Sequence, residues 1–196
     1  NDSDGFGDYD NNQIACEQPP GYVLDNTDCN DSDNTIFPNA TELCDGSDND
    51  CDSNLPNVEV DNDSDGFVEC TIDQNGWDGT TISGGEDCDD NDSLSFPGQV
   101  WYEDNDNDTY GNPSSSQTSC LQPSNHILDN TDCDDSQSDV YPNGPDVCDG
   151  LVNDCSGGPL SIIEVDNDGD GFVECTIDTN GWDGTSISGG EDCNDN

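Results

Sequence analysis

What most constrains this chain is something it lacks. It has no Lys and no Arg, against 48 Asp plus Glu and a single His, for a formal charge of −48 on 196 residues. Like charges at that density expand a chain unless something neutralises them. Only 28% of the residues are apolar, cysteines included, so nonpolar burial does not offset the repulsion. Composition alone describes a solvated acidic tail. A fold therefore needs covalent ties and positive charge brought from outside.

The cysteines supply the ties. Twelve Cys in 196 residues imply an oxidising compartment and a disulfide framework, which places the chain outside the cell or at its surface. The sequence shows no signal peptide and no apolar run long enough to insert in a membrane. Nucleic acid is excluded as a partner, because phosphate contacts need Lys and Arg.

The chain also repeats itself. "LDNTDC" at 24–29 returns at 128–133, and "FVECTIDQNGWDGTTISGGEDC" at 67–88 returns at 172–193 with two changes. Six cysteines per copy correspond: Cys16, Cys29, Cys44, Cys51, Cys70 and Cys88 with Cys120, Cys133, Cys148, Cys155, Cys175 and Cys193. The alignment gives two units, 1–104 and 105–196, the first short by about one residue at its start and the second short at its end. A window on a longer repetitive protein, or a subunit joined head to tail with copies of itself, is expected. Short β-prone runs at 58–60, 67–72, 80–83, 161–165 and 172–177 are separated by Gly, Asn, Asp and Pro. The expected fold is mostly irregular and small-β: stapled tandem repeats with short hairpins and little helix.

Asp at alternate positions followed by Gly has a specific use. In Asp-x-Asp-x-Asp-Gly, positions 1, 3 and 5 aim oxygens at one point, Gly allows the turn, and the carbonyl at position 7 also faces in. Asp61, Asp63, Asp65 and Gly66, with the Phe67 carbonyl, fit this pattern, as do Asp166, Asp168, Asp170, Gly171 and Phe172. Asp104, Asp106 and Asp108 are followed by Thr109 instead of Gly, and Asp2, Asp4 and Gly5 form a shortened copy. An EF-hand needs Glu at position 12, where this chain has Ile72 and Ile177; the acids stand at position 9, Glu69 and Glu174. The missing ligands are expected from acidic clusters around the cysteines. These hold Asp28, Asp31 and Asp33; Glu86, Asp87, Asp89, Asp90 and Asp92; Asp132, Asp134 and Asp135; Glu191, Asp192 and Asp195. A third kind of cluster, "CDGSDNDCD" at 44–52 and "CDGLVNDC" at 148–155, contributes Asp45, Asp48, Asp50, Asp149 and Asp154. All-oxygen sites of irregular geometry select Ca²⁺, on the order of ten ions here.

The stretch "DCNDSDNTIFPNATELCDGSDNDCD" at 28–52 resembles the MopE-type metal-binding repeat, and 132–155 keeps "DCDD", "VYPN", "VCDG" and "NDC". The alternating-Asp loops resemble thrombospondin type 3 repeats, which implies Ca²⁺ wired around a disulfide-tied chain with little regular structure. Copper, which the first family's name mentions, prefers His nitrogen or thiolate. The one His, His126, aligns with Tyr22 and reads as a surface residue. No Cys-x₂-Cys pair exists, so zinc is not expected either.

Six cysteines per unit allow fifteen pairings. Local closure points to Cys16–Cys29, Cys44–Cys51 and Cys70–Cys88, with the same in the second unit. Trp77 and Trp182 are expected to form small local cores with Phe67 and Phe172. Sequons fall at Asn1, Asn30, Asn39, Asn62, Asn91 and Asn107. Asn39 is the best placed, and Asn62 and Asn107 stand between the ligand positions of their loops, facing away from an ion. No nucleophile–base set or phosphate loop is present, and a carboxylate dyad would need a rigid cleft, so an enzyme is not expected. The function that fits is an extracellular structural repeat, rigidified by Ca²⁺ and disulfides, serving as a stalk, adhesin segment or subunit of a glycosylated filament. The alternative is an acidic calcium buffer or mineral-binding matrix protein.

Overall fold

The computed structural model describes residues 2–193. They form two compact units, one ending at Gln99 and the other beginning at Val100. No α-helix occurs among the described residues, and the strands are short. In the first unit β1 (Phe67–Val68) pairs in parallel with β2 (Gly84–Gly85), Phe67 opposite Gly84 and Val68 opposite Gly85. In the second, β3 (Val100–Glu103) is the central strand of an antiparallel sheet, between β4 (Ser116–Thr118) and β5 (His126–Ile127). The second unit reduces the parallel pair to one bridge, Phe172 to Gly189.

Glycine explains the parallel pair. A Cβ on Gly84 would lie 2.9 Å from the Phe67 ring, and one on Gly85 would run into the Cys70 carbonyl oxygen. Only a bare backbone lets the two segments meet. The expected strand at 80–83 therefore gives way to a pair that starts at Gly84. The runs at 58–60 and 161–165 differ more. Asn57–Glu59 and Ile162–Glu164 are single 3₁₀ turns, because Glu59 and Glu164 are drawn inward as hydrogen-bond acceptors. The sheet around β3 has no counterpart among the β-prone runs read from the sequence.

The buried apolar set is Ile36, Val68, Trp101, Val140 and Val173. At about 2 kcal/mol each, these side chains cannot order a chain of this length. Buried polar groups outnumber them, with Asn49 and Asn153 almost fully enclosed. Asn49 Oδ1 accepts the Leu43 N–H at 2.8 Å and Asn153 Oδ1 accepts the Val147 N–H at 3.0 Å, closing the same turn in each unit.

Disulfides join Cys29–Cys51 and Cys44–Cys70, and in the second unit Cys133–Cys155 and Cys148–Cys175. Cys88 and Cys120 are disulfide-bonded as well, while Cys16 and Cys193 carry exposed free thiols. The nearest-neighbour pairing is thus wrong in both units, and so is the expectation that all twelve cysteines are bonded. The turn between Cys44 and Cys51 is already closed by hydrogen bonds around Asn49. Both cysteines are left to tie in more distant segments. Loops of 22 to 27 residues each contribute about 3 kcal/mol by restricting the unfolded chain.

The aromatic pairs also differ from expectation. Phe67 stacks on Phe96 (ring centres 5.3 Å apart), Phe6 on Phe37 (5.5 Å) and Tyr110 on Tyr141 (5.2 Å). In each pair the residue following an alternating-Asp loop meets the aromatic of a Phe/Tyr-Pro step. Trp77 instead covers the crossing of Gly46 and Gly79, where a Cβ on Gly46 would lie 2.7 Å from its ring. Its indole N–H donates to the Thr80 carbonyl, and Trp182 repeats this with Thr185, both at 2.6 Å.

Candidate metal centre

Each alternating-Asp loop is held by the same local device. The carboxylate of one Asp accepts the backbone N–H two residues on, a turn that Asp makes readily. Asp63 Oδ1 accepts from Asp65 at 3.1 Å and Asp65 Oδ1 from Phe67 at 2.8 Å. Asp2 and Asp4 (3.2 and 2.8 Å), Asp106 and Asp108 (3.2 and 2.8 Å), and Asp168 and Asp170 (3.1 and 2.9 Å) do likewise. The aspartate before a cysteine joins each loop in the same way. Asp28 Oδ1 accepts from Asn30 at 2.8 Å, Asp87 from Asp89 at 3.3 Å and Asp132 from Asp134 at 2.9 Å.

Using Oδ1 in this way turns Oδ2 inward. The Oδ2 atoms of Asp2, Asp4 and Asp28 are buried with no hydrogen-bond partner; so are those of Asp63, Asp65 and Asp87, and those of Asp106, Asp108 and Asp132. Asp104 adds a buried, unpartnered Oδ1 to the last group. Asp2, Asp4 and Asp28 each present an oxygen within 4.8 Å of the others, and so do Asp61, Asp63 and Asp65. Asp28, Asp87, Asp104 and Asp132 are each more than nine-tenths buried. Buried, unpaired carboxylate oxygens facing one another are costly, and the sequence contains no Lys or Arg to relieve them. A cation is the group these donors fit.

The electrostatics agree. Burial raises the carboxyl pKa of Asp28, Asp65, Asp87, Asp106 and Asp132, with the neighbouring carboxylates adding to the effect. Asp108 is pushed up to about 6, by burial first and then by Asp106, Asp132 and Asp104, against the opposing Tyr110 N–H. In the fourth group Asp170 senses Asp168, Asp192 and Asp166, and Asp168 and Asp170 are exposed.

Other expected ligands serve as supports. Asp61, which also belongs to the group with Asp63 and Asp65, and Asp166 brace their own loops, accepting from Ser64 and Gly66 and from Gly169 and Gly171. Asp90 Oδ1 accepts the Asn62 N–H at 2.9 Å and Asp135 Oδ1 the Asn105 N–H at 2.7 Å, clamping position 2 of two loops. Asp31 aligns with Asp135 and is among the charges acting on Asp28. Asp33, Asp89, Asp92 and Asp134 cap turns, as do Asp45, Asp50, Asp149 and Asp154. Asp48 accepts from Asp52 and Ser53, and it also lies within the group Glu42, Asp48 and Asp50. Glu86 and Glu191 take the hydroxyls of Thr71 and Thr176. Glu69 and Glu174, expected at position 9, are exposed and alternate with buried Val68 and Val173. Asp195 and Asn1 lie outside the described residues.

Glu59 and Glu164 were not recognised as candidates. Each is nearly fully buried; Glu59 accepts the Gly46 N–H at 2.8 Å, and Glu164 Oε1 those of Asp149 and Gly150, both at 3.1 Å. Their signal was present in the sequence, since both repeats place a lone acid between Val or Ile residues at the same register.

Two further groupings pair Asp28 with Cys29 and Cys51, and Asp132 with Cys133 and Cys155. Those sulfurs are in disulfides and offer no thiolate. His126 Nδ1 lies 3.0 Å from the Ser124 carbonyl oxygen. Among the sequons, Asn39 is exposed in a left-handed turn, whereas the Asn62 amide nitrogen donates to Asp90 Oδ2 and to the Val60 carbonyl. Asn91 and Asn107 are exposed; Asn30 is half-buried and accepts the Ser32 hydroxyl.

Comparison with known proteins fits this geometry. No curated protein and no solved structure matches the chain. Residues 28–55, 87–100 and 132–158 match the Cu-binding MopE family, described as a "Putative metal-binding motif". The segment 87–100 contains Asp87, of the second carboxylate group, and Phe96, which stacks on Phe67, so the first repeat matches the motif twice. The segment keeps the "DCDDND" and "FPG" of the pattern and lacks the "CDG" half. This disulfide-rich chain thus carries the MopE-type metal-binding motif three times.

Proposed function

We propose that the chain is an extracellular structural repeat in which Ca²⁺ occupies the carboxylate groups, working as thrombospondin type 3-like loops do. The observation that carries this reading is the set of buried, unpartnered carboxylate oxygens in three groups, in a chain without a basic side chain. The donors are all oxygens and the groups are irregular, a combination that suits Ca²⁺ better than Mg²⁺, Zn²⁺ or copper. The residues' part is to hold oxygens in place and to shield them. The ion's part is to cancel charge that otherwise repels. A stalk, adhesin segment or filament subunit needs this stiffness, and the repeat suits head-to-tail association with copies of itself. Glycans at sites such as Asn39 fit an exposed extracellular surface, and no catalytic role is assigned.

Calorimetric titration of metal-free protein with Ca²⁺, paired with small-angle scattering, tests the reading. Several ions are expected to bind, with compaction and protease resistance appearing as they do. Ion loss without loss of shape would instead favour a calcium buffer.

A further inference from the structure

The Cys-Asp-Gly turns, at 44–46 and 148–150, carry carboxylates that the alternating-Asp groups do not use. Glu164 ends the second 3₁₀ turn with 2% of its surface exposed. Its Oε1 accepts the N–H groups of Asp149 and Gly150, which leaves Oε2 buried with no hydrogen-bond partner. Asp149 is 3% exposed. Its Oδ1 accepts the Leu151 N–H at 2.8 Å and its Oδ2 the side-chain amide of enclosed Asn153 at 3.0 Å. A carboxylate oxygen has two acceptor positions, so both Asp149 oxygens keep one in reserve. Burial raises the Glu164 carboxyl pKa, the Gly150 and Asp149 N–H groups oppose it, and the charges of Asp146 and Asp149 add to it.

The first unit builds the same arrangement from the aligned residues Glu42, Asp45, Asn49 and Glu59. Glu59 is 3% exposed, and its Oε2 accepts the Gly46 N–H at 2.8 Å. Asp45 Oδ1 accepts the Ser47 N–H at 2.8 Å and its Oδ2 the Asn49 amide at 3.4 Å, and Asp45 and Glu42 are the charges that act on Glu59. The arrangement recurs although Ser47 and Asp48 are replaced by Leu151 and Val152 in the second turn. Disulfides set the glutamates in place. Cys70 is bonded to Cys44 and donates its N–H to the Val58 carbonyl; Cys175 is bonded to Cys148 and donates to the Ile163 carbonyl, both at 3.2 Å. Each 3₁₀ turn is thereby tied over its Cys-Asp-Gly turn. Neither glutamate falls within the residues that match the MopE motif, 28–55 and 132–158.

We propose that each Cys-Asp-Gly turn holds a second class of Ca²⁺ site, with Glu164, Asp149 and Asp146 as ligands in one unit and Glu59, Asp45 and Glu42 in the other. A buried carboxylate oxygen without a donor, beside two further acids, is costly, and the chain has no Lys or Arg to offset it. The donors are again all oxygens, the set that Ca²⁺ takes. The identity of the ion rests on the calcium reading; its place rests on these residues alone. An ion here fastens the 3₁₀ turn to the Cys-Asp-Gly turn, two residues before Asp61 and Asp166 open the alternating-Asp loops. The motif copy at 87–100 lacks the Cys-Asp-Gly half, so the described residues hold two such sites.

Equilibrium dialysis against Ca²⁺ counts the ions held by the full chain, by Glu59→Gln, by Glu164→Gln and by the double variant. Gln keeps the shape and one acceptor oxygen but puts an amide where the second oxygen was. Each single variant is expected to hold one ion fewer than the parent, and the double variant two fewer. An unchanged count in the double variant overturns the proposal and leaves the alternating-Asp groups as they are; a Glu164 that simply keeps its proton gives that result. A variant with Asp63→Asn and Asp65→Asn separates the two readings. If it loses no ion while the Gln variants lose theirs, the loop reading falls and this site stands. A parent chain that holds no Ca²⁺ overturns both. Should the Gln variants fail to fold, crystals of the parent soaked in Tb³⁺ decide. An anomalous peak about 2.3–2.6 Å from Glu164 Oε2 supports the site, and peaks confined to the alternating-Asp groups overturn it.

Discussion

At the scale of single residues, Thr109 shows how strongly the loop shape is imposed. It stands where the other loops have Gly, and it adopts φ +81°, beside +95° at Gly66 and +90° at Gly171. A β-branched residue is strained in that region, by about 1–2 kcal/mol. Thr109→Gly should therefore raise the denaturation midpoint in excess Ca²⁺, by about 1 kcal/mol after the added chain entropy of Gly. A lower midpoint would mean that the Thr side chain contributes something the backbone does not reveal. The alternating Asp pattern was legible because the chemistry is local. Each carboxylate binds a backbone N–H two residues away, a distance the sequence states directly. What could not be read was the division of labour: Asp63 and Asp90 look alike on paper, but one faces the group and the other clamps the turn.

Among the elements, the Gly84–Gly85 pair is the sharpest target. Gly85→Ala should cost about 1–3 kcal/mol as an overpacking change, because its methyl would be driven into the Cys70 carbonyl. It should also loosen Asp87, two residues on, and lower Ca²⁺ affinity; urea denaturation and calcium titration of the variant check both. Short strands were poorly legible because β-propensity reports packing against neighbours. The runs at 58–60 and 161–165 look β-prone, yet buried Glu59 and Glu164 curl them into 3₁₀ turns. Disulfide pairing was illegible for a related reason. Proximity along the chain favours Cys44–Cys51, but that turn is closed by Asn49, and nothing in the sequence announces it.

For the whole molecule, pH and cation act in opposite directions. The buried carboxyls of Asp28, Asp65, Asp87, Asp106, Asp108 and Asp132 have pKa values raised above the ordinary 3.8, to about 6 at Asp108. Without a cation, the folded state therefore holds protons that the unfolded chain has released. Stability present below about pH 4 is lost as pH rises through the raised values. With Ca²⁺ the ion replaces those protons, so binding strengthens over the same range. Thermal melts in metal-free buffer should fall between pH 4 and 7, and melts in millimolar Ca²⁺ should rise. Parallel curves in the two conditions would show that the carboxylates are not the ion's ligands. The broad fold class was legible from charge and cysteine content, since both act over the entire chain. The second occurrence of the motif within the first repeat was not, because 87–100 keeps only part of the pattern.

The interleaved disulfides have a mechanical consequence. Cys29–Cys51 overlaps Cys44–Cys70, so a pull entering at Cys29 and leaving at Cys70 travels by sulfur to Cys51, back to Cys44, and by sulfur to Cys70. Of the 41 residue steps between Cys29 and Cys70 (70 − 29), only 7 (51 − 44) carry the load. Cys133–Cys155 and Cys148–Cys175 give the same shortcut, 155 − 148, again 7. At about 3.5 Å per extended residue, each such segment yields roughly 25 Å under tension, where an open chain would give about 140 Å. Residues 29–70 and 133–175 are thus short, nearly inextensible links, and Asp61, Asp63 and Asp65, held in slack behind the sulfurs, stay together while force passes them by.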